Sequence, residues 1–477
     1  MKENNKMISI DFNIKSFIYN RRTYIFAFFI PVVLLFVSYA IFGIYPFGDE
    51  SVLVLDLSGQ YVYYFENLRD AFWGNGSLLN SWSRNFSGEI IGIFAYYLAS
   101  PFTLIVMLLP RGFMTGSLLI MQLCKVGTAG IMFCYYLRNS HKTTTSAALL
   151  FSNLYALMGY MVVQLMDPMW LDGLIYLPLI CFGIEKMIEK KNILSFIIPL
   201  ALMFIANFYI GWMIAIFSII YFFIYYFFVA EDTLPFKIKH FVISGCKFAG
   251  GGILAAACSS WLLLPLYYSL SLGKFEFSTP NYEMSTQFDF ADFFITLLPN
   301  VYDTCRPEGS PVVYCGVLTI ILIPLFFLNK NIKLRQKIGY GILTLSVILS
   351  MYMSTVDLVW HGFQVPNWLP YRYSFTVSFV LLIMAAHSFD RIEGISFKEI
   401  GGVFFGLLAY VFYVDKIGLE NVTLLATVWY TVAMGFSYAI LLYMHKKFYR
   451  IKPVPVVIML FIMIELVISS SYTFYRI

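Results

Sequence analysis

Charged residues are scarce in this chain of 477 residues. Asp, Glu, Lys and Arg together make up 12% of it, about half the share found in soluble domains, whereas hydrophobic residues make up 60%. This composition excludes a water-soluble globular domain as the main body of the protein. Apolar runs of about 20 residues, the length with which a helix crosses a bilayer, fill nearly the whole sequence instead.

Motifs for nucleotide and metal chemistry are also missing. The sequence contains no Walker loop, GxSxG elbow or dinucleotide fingerprint, so ATP-driven transport by this chain is unsupported. Its seven cysteines show no zinc-binding spacing. Cys305 and Cys315 lie in or near one loop, where a disulfide is an option that their spacing does not decide. The sequence therefore indicates no cofactor, and a divalent metal ion stays an option that no motif points to.

Thirteen apolar segments are predicted to cross the membrane, which makes the fold class an all-α polytopic membrane protein. They are Tyr24–Ile44, Thr115–Leu137, Thr145–Leu165, Gly173–Ile188, Leu194–Phe208, Gly211–Val229, Phe248–Leu270, Val312–Leu328, Ile338–Thr355, Tyr373–His387, Gly401–Val414, Val422–Met444 and Val454–Tyr472.

Lys and Arg decide the orientation, because they flank membrane helices mostly on the cytoplasmic side. If the remaining apolar stretch, Ile90–Pro110, does not cross, the cytoplasmic segments hold 23 of the 32 Lys and Arg and the outer segments hold 8. If it crosses, the bias reverses. Ala99-Ser100-Pro101 also divides the stretch into two pieces that are too short to span. We therefore predict a re-entrant or interfacial hairpin, a cytoplasmic N-terminus over residues 1–23, a membrane domain over 24–477 and an outer C-terminus.

Two outer segments are long. The first, residues 45–114, contains the hairpin and an amphipathic surface helix over Leu57–Trp73. The second, residues 272–311, is acidic, and the outer segments together carry 17 Asp and Glu against 8 Lys and Arg. An acidic outer face argues against a nucleic acid partner.

Asp56 stands at the start of the predicted surface helix. A carboxylate at the membrane interface can serve as a general base. The alternative is an N-cap, because Asp before a helical run accepts hydrogen bonds from backbone N–H groups. The local sequence does not decide between the two interpretations.

Short outer turns supply other candidate polar groups. Asp167 and Asp172 lie five residues apart, where they can bind a sugar hydroxyl or a metal ion, or end a turn and cap a helix. Asn207 and Tyr209 lie at the outer end of a helix pair. Their combination of ring and amide suits a sugar, although Tyr is common at membrane interfaces without any ligand.

The stretch Trp360–Phe375 contains two further candidates. Arg372 stands at the outer end of a predicted helix, where a guanidinium can grip a lipid-linked phosphate or snorkel to lipid headgroups. His361 can act as an acid or base, although a single loop histidine usually does not. Lys125 and Glu465 fall within predicted spans, where charge is costly, and they receive no role from the sequence.

In combination, these motifs resemble the YfhO-like bacterial membrane proteins, which are grouped with the GT-C glycosyltransferases. The matching residues occur in order over most of the chain: Asp56 with Gln60-Tyr61, Ser81-Trp82, Phe94 to Pro101, Met169-Trp170-Leu171-Asp172, Asn207-Phe208-Tyr209, Tyr314-Cys315-Gly316 and Pro366 to Phe375.

The resemblance implies a GT-C-like fold with surface helices in a long first outer loop that carries an essential acid. It also implies transfer of a sugar from a polyprenyl-phosphate donor to an envelope polymer, such as teichoic acid, outside the bacterial plasma membrane. A separate flippase and a separate donor synthase are the implied protein partners. Members usually continue into a large outer domain, which this sequence, ending at Ile477, lacks. A truncated chain, a short paralogue and a half with a separate partner are the alternatives.

The resemblance further implies roles for individual residues. Asp56 becomes the catalytic base, and Arg372, with Arg84, stabilises the phosphate leaving group. Asp167 stands where the family leads us to expect Asn, so it ranks below Asp172. We expect Asp56, Asp172 and Arg372 to line one outward cavity. The substrate-binding candidates are Gln60, Tyr61, Trp82, Arg84, Trp170, Asp172, Asn207, Tyr209, His361 and Arg372.

Two other classes of function stay open at the level of sequence. A transporter or flippase of lipid-linked sugar or polymer needs a polar path through the bundle, and the predicted spans contain few charged residues, Lys125 and Glu465 among them. This scarcity favours the enzyme. An inactive scaffold for envelope assembly is the third option.

Overall fold

The computed structural model describes residues 14–81, 88–190, 192–230, 238–272, 282–301, 309–366, 368–417, 424–448 and 453–476. Within these ranges the chain is almost entirely helical, as its composition predicts.

We number the α-helices of the described residues in chain order. They are α1 (Ile14–Phe42), α2 (Val62–Phe72), α3 (Ile91–Ile93), α4 (Thr103–Leu108), α5 (Met114–Asn139), α6 (Thr145–Ala156), α7 (Gly159–Val163), α8 (Asp172–Lys190), α9 (Leu194–Ala206), α10 (Phe208–Ile224), α11 (Ile238–Cys258), α12 (Ser260–Ser271), α13 (Phe290–Ile295), α14 (Val317–Leu328), α15 (Leu334–Tyr352), α16 (Ser354–Trp360), α17 (Phe375–Asp390), α18 (Phe397–Ile417), α19 (Leu424–Lys447) and α20 (Pro453–Arg476).

Each of the thirteen predicted spans overlaps one or more of these helices. In the described part of the chain, eight helical segments are long and apolar enough to cross a bilayer, and three apolar helices, α9, α14 and α17, are shorter. The protein is therefore an all-α, multi-pass membrane protein, as predicted, while the number of thirteen crossings stays a prediction.

One predicted boundary was wrong. We placed a span at Phe248–Leu270, but the helix of span length is α11, which ends at Cys258 and is followed by the separate helix α12. Ser259 lies at the break, and its hydroxyl donates to the carbonyl of Ala201 on α9. A tertiary hydrogen bond of this kind is not visible in the hydrophobic pattern.

The segment predicted to be the first long outer one, residues 45–114, folds into short elements. A five-residue π-helical turn, Leu57–Tyr61, leads into α2, and a two-stranded antiparallel ladder pairs Asn80–Ser81 with Gly88–Glu89. A second π-helical turn, Phe94–Leu98, follows α3. The chain then breaks at Ser100-Pro101 before α4, so neither helical piece of this stretch is long enough to cross a bilayer.

Small residues allow the bundle helices to approach closely. A Cβ atom added to Gly130 of α5 would lie 2.3 Å from the carbonyl oxygen of Ala27 in α1, and one added to Gly183 of α8 would lie 2.2 Å from that of Ser195 in α9. Membrane helices associate through such contacts, because lipid provides no hydrophobic force to drive them together. These contacts hold α1 on α5 and α9 on α8.

Acidic groups inside the bundle are held by tyrosines. Glu465 of α20 accepts hydrogen bonds from the hydroxyls of Tyr314 and Tyr438 and, at 2.6 Å, from the backbone N–H of Val317. Glu185 of α8 accepts from Tyr136 at 2.9 Å, and further hydroxyls surround it. These hydrogen bonds offset the high free-energy cost of placing each carboxylate in the membrane.

Candidate functional site

Two carboxylates from distant parts of the sequence meet at one tyrosine. The hydroxyl of Tyr61, at the end of the first π-helical turn, lies 3.2 Å from Oδ2 of Asp56 and 3.0 Å from Oδ1 of Asp167. Asp56 is exposed, whereas Asp167 is buried. Because a hydroxyl has one proton, Tyr61 donates fully to only one ionised carboxylate at a time. The arrangement therefore links the hydrogen bonding of an exposed acid to the protonation of a buried one.

Asp167 is held in a dry environment. Its side chain precedes the 3₁₀ turn Pro168–Trp170, and burial raises the pKa of its carboxyl group to about 7, although the Tyr61 hydrogen bond and the charge of Arg372 lower it in part. Burial and then the charge of Asp167 raise the pKa of Tyr61 well above its usual range. Tyr61 therefore stays protonated at neutral pH, while Asp167 exchanges a proton there.

The guanidinium of Arg372 is fixed beside this acid pair by its own loop and by aromatic rings. Its Nη2 donates to the carbonyl of Trp368 at 2.9 Å and its Nε to that of Leu369 at 3.2 Å. Nη1 lies 3.3 Å from the hydroxyl of Tyr96, and the group stacks 4.6 Å from the ring of Trp170. This planar clamp suits a guanidinium and not an ammonium.

Backbone strain marks the same loop. Leu369 (φ +54°) and Tyr371 (φ +58°), three residues and one residue before Arg372, both adopt the left-handed conformation, and Leu55 (φ +48°) does so immediately before Asp56. Non-glycine residues pay a free-energy cost for this conformation, and such residues concentrate at functional sites. The two charged groups of the candidate site are thus both presented by strained backbone.

Tyrosine rings connect the segments of the site. Tyr97, on the second π-helical turn, lies 4.9 Å from the ring of Tyr61 and 4.6 Å from that of Tyr96. Tyr96 lies 5.9 Å from Tyr209 at the start of α10. The rings join the surface helix, the broken stretch and the bundle into one surface. Rings next to a carboxylate and a guanidinium are suited to a polar ligand with an apolar face, such as a sugar.

Asp172 has a different place from the one we predicted. It is fully buried, its Oδ2 lies 2.5 Å from Nζ of Lys125 and its Oδ1 accepts from the Ser100 hydroxyl at 2.9 Å. Lys125 also donates to the carbonyl of Pro168 at 2.7 Å. The expectation that Asp172 lines an outward cavity with Asp56 and Arg372 was wrong, because this ion pair lies beneath the surface. Its partners give Asp172 a structural role instead of a sugar-binding one.

Comparison with known proteins agrees with the sequence resemblance. The family model of the bacterial membrane protein YfhO matches residues 27–477. The chain belongs to the YfhO family. It is also similar to an uncharacterized YfhO protein of Bacillus subtilis (strain 168), at 25% identity over 278 residues. The match covers 56% of this chain and 29% of that protein, so the chain spans less than a third of its relative there. No solved structure matches the chain.

In this YfhO-family chain, several predicted binding residues contribute to packing. Asn207 is buried, caps α10 by accepting from the backbone N–H of Ile210 at 2.8 Å, and donates to the carbonyl of Tyr96 at 2.8 Å. The indole N–H of Trp170 lies 3.2 Å from the hydroxyl of Tyr96. Both residues therefore hold Tyr96 in place, and the Asn207 side chain is buried between backbone groups of α10 and of the Phe94–Leu98 turn instead of being presented to a sugar.

His361 is buried and not exposed on a loop. Its Nδ1 lies 2.9 Å from the carbonyl of Asp357, whose carboxylate accepts from Tyr373 at 2.8 Å. Among the described residues its Nε2 has no hydrogen-bond partner, and its ring lies 6.3 Å from that of Tyr209. His361 thus lies next to the tyrosine rings of the candidate site and not at the acid pair of Asp56 and Asp167.

The remaining predicted residues have varied places. Gln60 is exposed beside Asp56, while Trp82 and Arg84 lie outside the described residues, as does Cys305. Asp56 makes no helix-capping hydrogen bond, which removes the structural alternative for this residue. Sequence reasoning ranked Asp167 below Asp172 and gave Tyr96 no role. The family motif containing Tyr96 and Tyr97 was the available signal for the second omission.

Proposed function

We propose that this chain is a GT-C type glycosyltransferase that moves a sugar from a polyprenyl-phosphate-linked donor to an envelope polymer, such as teichoic acid. The reaction takes place on the outer face of the bacterial plasma membrane. One observation carries the proposal: an exposed carboxylate, Asp56, is coupled through Tyr61 to a buried acid that feels the charge of Arg372. Glycosyl transfer needs both a base for the acceptor and a cation for the phosphate that leaves.

The proposed step is an inverting displacement. Asp56 takes the proton of an acceptor hydroxyl as the hydroxyl oxygen forms a bond to the anomeric carbon. The bond between that carbon and the phosphate oxygen breaks, and polyprenyl phosphate leaves with the electron pair and a negative charge. Arg372 stabilises that charge, a role for which its clamped guanidinium is suited because it needs no rearrangement as charge develops.

Tyr61 and Asp167 would tune the base. When Asp167 is protonated, the hydroxyl of Tyr61 donates to Asp56 and occupies one of its carboxylate oxygens. When Asp167 is ionised, it competes for the Tyr61 hydroxyl and leaves that oxygen of Asp56 available to the acceptor hydroxyl. Asp167 therefore acts as a positioning residue through Tyr61, without contact to the substrate.

Buried charges favour the enzyme over a flippase. A flippase needs polar groups that are available along a path through the membrane. In the described part of the bundle, Lys125 is paired with Asp172, and Glu185 and Glu465 are surrounded by hydroxyl groups. These are closed contacts within the protein, which is typical of packing. A lipid-linked sugar would thus reach the site from the membrane surface, delivered by a separate flippase.

The test measures transfer of radiolabelled sugar from polyprenyl-phosphate donor to envelope polymer in proteoliposomes. Asp56→Asn should lower transfer at least a hundredfold while donor binding persists, because amide nitrogen and oxygen cannot take up the acceptor proton. Asp70→Asn is the matched control, since Asp70 lies on the same surface segment but pairs with Arg111 at 3.5 Å. Transfer that is unchanged in Asp56→Asn would remove this residue from the chemistry. Donor movement across the bilayer without transfer would support the flippase instead.

A further inference from the structure

A groove of about 1010 Å³ lies between α1 and α9, and its lining residues are different from those of the candidate site. α1 packs on α5, α9 packs on α8, and α5 packs on α8, so α5 and α8 form the floor and the other two helices form the walls. A volume of this size is at the upper end of the range for ligand pockets. The groove is therefore large enough for a bound molecule and not only for a few waters.

The body of the groove is apolar. Its floor includes Met132 of α5 and Leu179 of α8, and Ile198 and Leu202 of α9 form one wall with roughly half of their side-chain surface exposed. The helical rise of about 1.5 Å per residue gives a length of roughly 12 Å for the lining residues of α9, from Leu194 to Leu202. One leaflet of the hydrocarbon core is about 15 Å thick, so the groove has a length suited to the acyl chains of one leaflet.

One end of the groove is polar and cationic. Arg21 and Asn192 line it and are exposed. The ammonium of Lys186 lies 4.8 Å from the ring of Phe182, which also lines the groove. Glu189, one turn from Lys186, accepts a hydrogen bond from Tyr225, which does not line the groove. Two cations and an amide thus stand at the mouth.

Aromatic residues mark the level of this mouth in the membrane. Tyr24 and Tyr135 both line it, with ring centroids 6.3 Å apart, and the hydroxyl of Tyr24 accepts from Asn139 at 3.3 Å. Tyrosine and Lys or Arg together are typical of the boundary between hydrocarbon and headgroups. The distribution of positive charge predicts that this boundary is the cytoplasmic one. Anionic lipids are concentrated in that leaflet.

We propose that this groove binds an anionic phospholipid of the cytoplasmic leaflet, with its phosphate between Arg21 and Lys186 and its acyl chains along α5 and α8. The occupant follows from the combination of a cationic mouth at headgroup level and an apolar body of one-leaflet length. The site is independent of the proposed sugar transfer, because it involves different residues at the other end of the bundle.

The test uses purified protein in detergent with phosphatidylglycerol or phosphatidylcholine as the probe. Native mass spectrometry counts the retained lipid, and thermal melting reports the stabilisation, because a ligand bound by the folded state raises Tm. Phosphatidylglycerol should be retained in preference to phosphatidylcholine. Arg21→Gln with Lys186→Gln should weaken its binding by roughly 10- to 30-fold and leave phosphatidylcholine unaffected.

A second variant tests the groove without changing charge. Ile198→Trp fills the apolar wall and should displace both lipids, whereas Leu264→Trp adds the same ring to an exposed position of α12 outside the groove and should displace neither. Equal retention of the two lipids by the native chain would overturn the proposal. Retention of phosphatidylglycerol by Ile198→Trp would also overturn it, as would a preference for polyprenyl phosphate over phosphatidylglycerol.

Discussion

The hydroxyl of Tyr61 lies between Oδ2 of Asp56 and Oδ1 of Asp167, at 3.2 Å and 3.0 Å. The two acids are 111 positions apart in the sequence, one exposed and one buried. A single proton shared among three oxygens makes the state of each group depend on the others. The first two predictions follow from this arrangement.

Removal of the bridging hydroxyl should uncouple the acids. Tyr61→Phe keeps the ring that packs on Tyr97 but removes the donor, so we expect transfer of sugar to fall by at least tenfold with little change in Tm. Tyr63→Phe is the matched control, since Tyr63 lies on the same segment with its side chain exposed, and it should retain activity. Loss of transfer in both variants alike would show that the hydroxyl of Tyr61 has no specific part.

Asp167→Asn should change the dependence of transfer on pH. Because the pKa of Asp167 is raised to about 7, the group is mostly protonated at pH 6 and mostly ionised at pH 8. The native rate of transfer should therefore rise through an inflection near pH 7, where ionised Asp167 draws the Tyr61 hydroxyl away from Asp56. The inflection should be absent in Asp167→Asn, as measured by initial rates across this range. An inflection that persists in the variant would assign it to another group.

Asp167→Asn should also change how the stability of the folded protein depends on pH. A raised pKa means that the folded chain holds this proton more tightly than the unfolded chain, so folding is favoured by acid. The stability of the native protein relative to Asp167→Asn should fall as pH rises from about 4 to about 7 and then stay constant. Melting temperatures in detergent at pH 4.5, 6 and 7.5 measure this difference. A relative stability that rises with pH would contradict the burial of an ionisable Asp167.

Arg372→Lys keeps the charge but not the planar clamp. An ammonium cannot donate to Trp368 and Leu369 and stack on Trp170 in the same way, so we expect kcat/KM to fall by about tenfold or more. Arg69→Lys is the matched control, because Arg69 donates to the carbonyl of Leu109 in the first outer segment. Full activity of Arg372→Lys would mean that charge alone is sufficient.

Asp172→Asn should destabilise the protein without acting on the chemistry. It leaves the ammonium of Lys125 buried without its counter-ion, which costs about 3–5 kcal/mol. Replacement of both partners, Lys125→Met with Asp172→Leu, should recover a large part of this loss because no buried charge remains. Thermal melting of the three proteins provides the comparison. A double variant that is less stable than Asp172→Asn would show that the charges are required for reasons beyond their mutual pairing.

The fold could be predicted to a large extent because lipid imposes a simple rule. Runs of about 20 apolar residues become helices, and the break at Ser100-Pro101 indicated the two short pieces of the first outer segment. The ends of helices were less predictable. α14 begins at Val317 and not at Val312, because Gly316 adopts φ +102°, a conformation that hydrophobicity does not report.

The site was predicted only in part, for a physical reason. Asp56 and Arg372 were visible as polar residues at membrane boundaries, but their neighbours depend on how remote segments pack. Asp167 and Asp172 are five positions apart and look equivalent in the sequence. Lys125, on another helix, forms an ion pair with Asp172. Tyr61, on the surface segment, donates a hydrogen bond to Asp167. Tertiary contacts alone separate a structural acid from a candidate functional one.

The ion pair between Lys125 and Asp172 also fixes how deep the turn at Ser100-Pro101 lies in the membrane. Asp172 accepts from the hydroxyl of Ser100, so the turn at Ser100-Pro101 is tied to two long helices by charge and hydrogen bonds. A segment held in this way takes its position along the membrane normal from the protein and not from the surrounding lipid. Lipid-facing helices tilt when bilayer thickness changes, but a turn anchored to a buried ion pair has no such freedom.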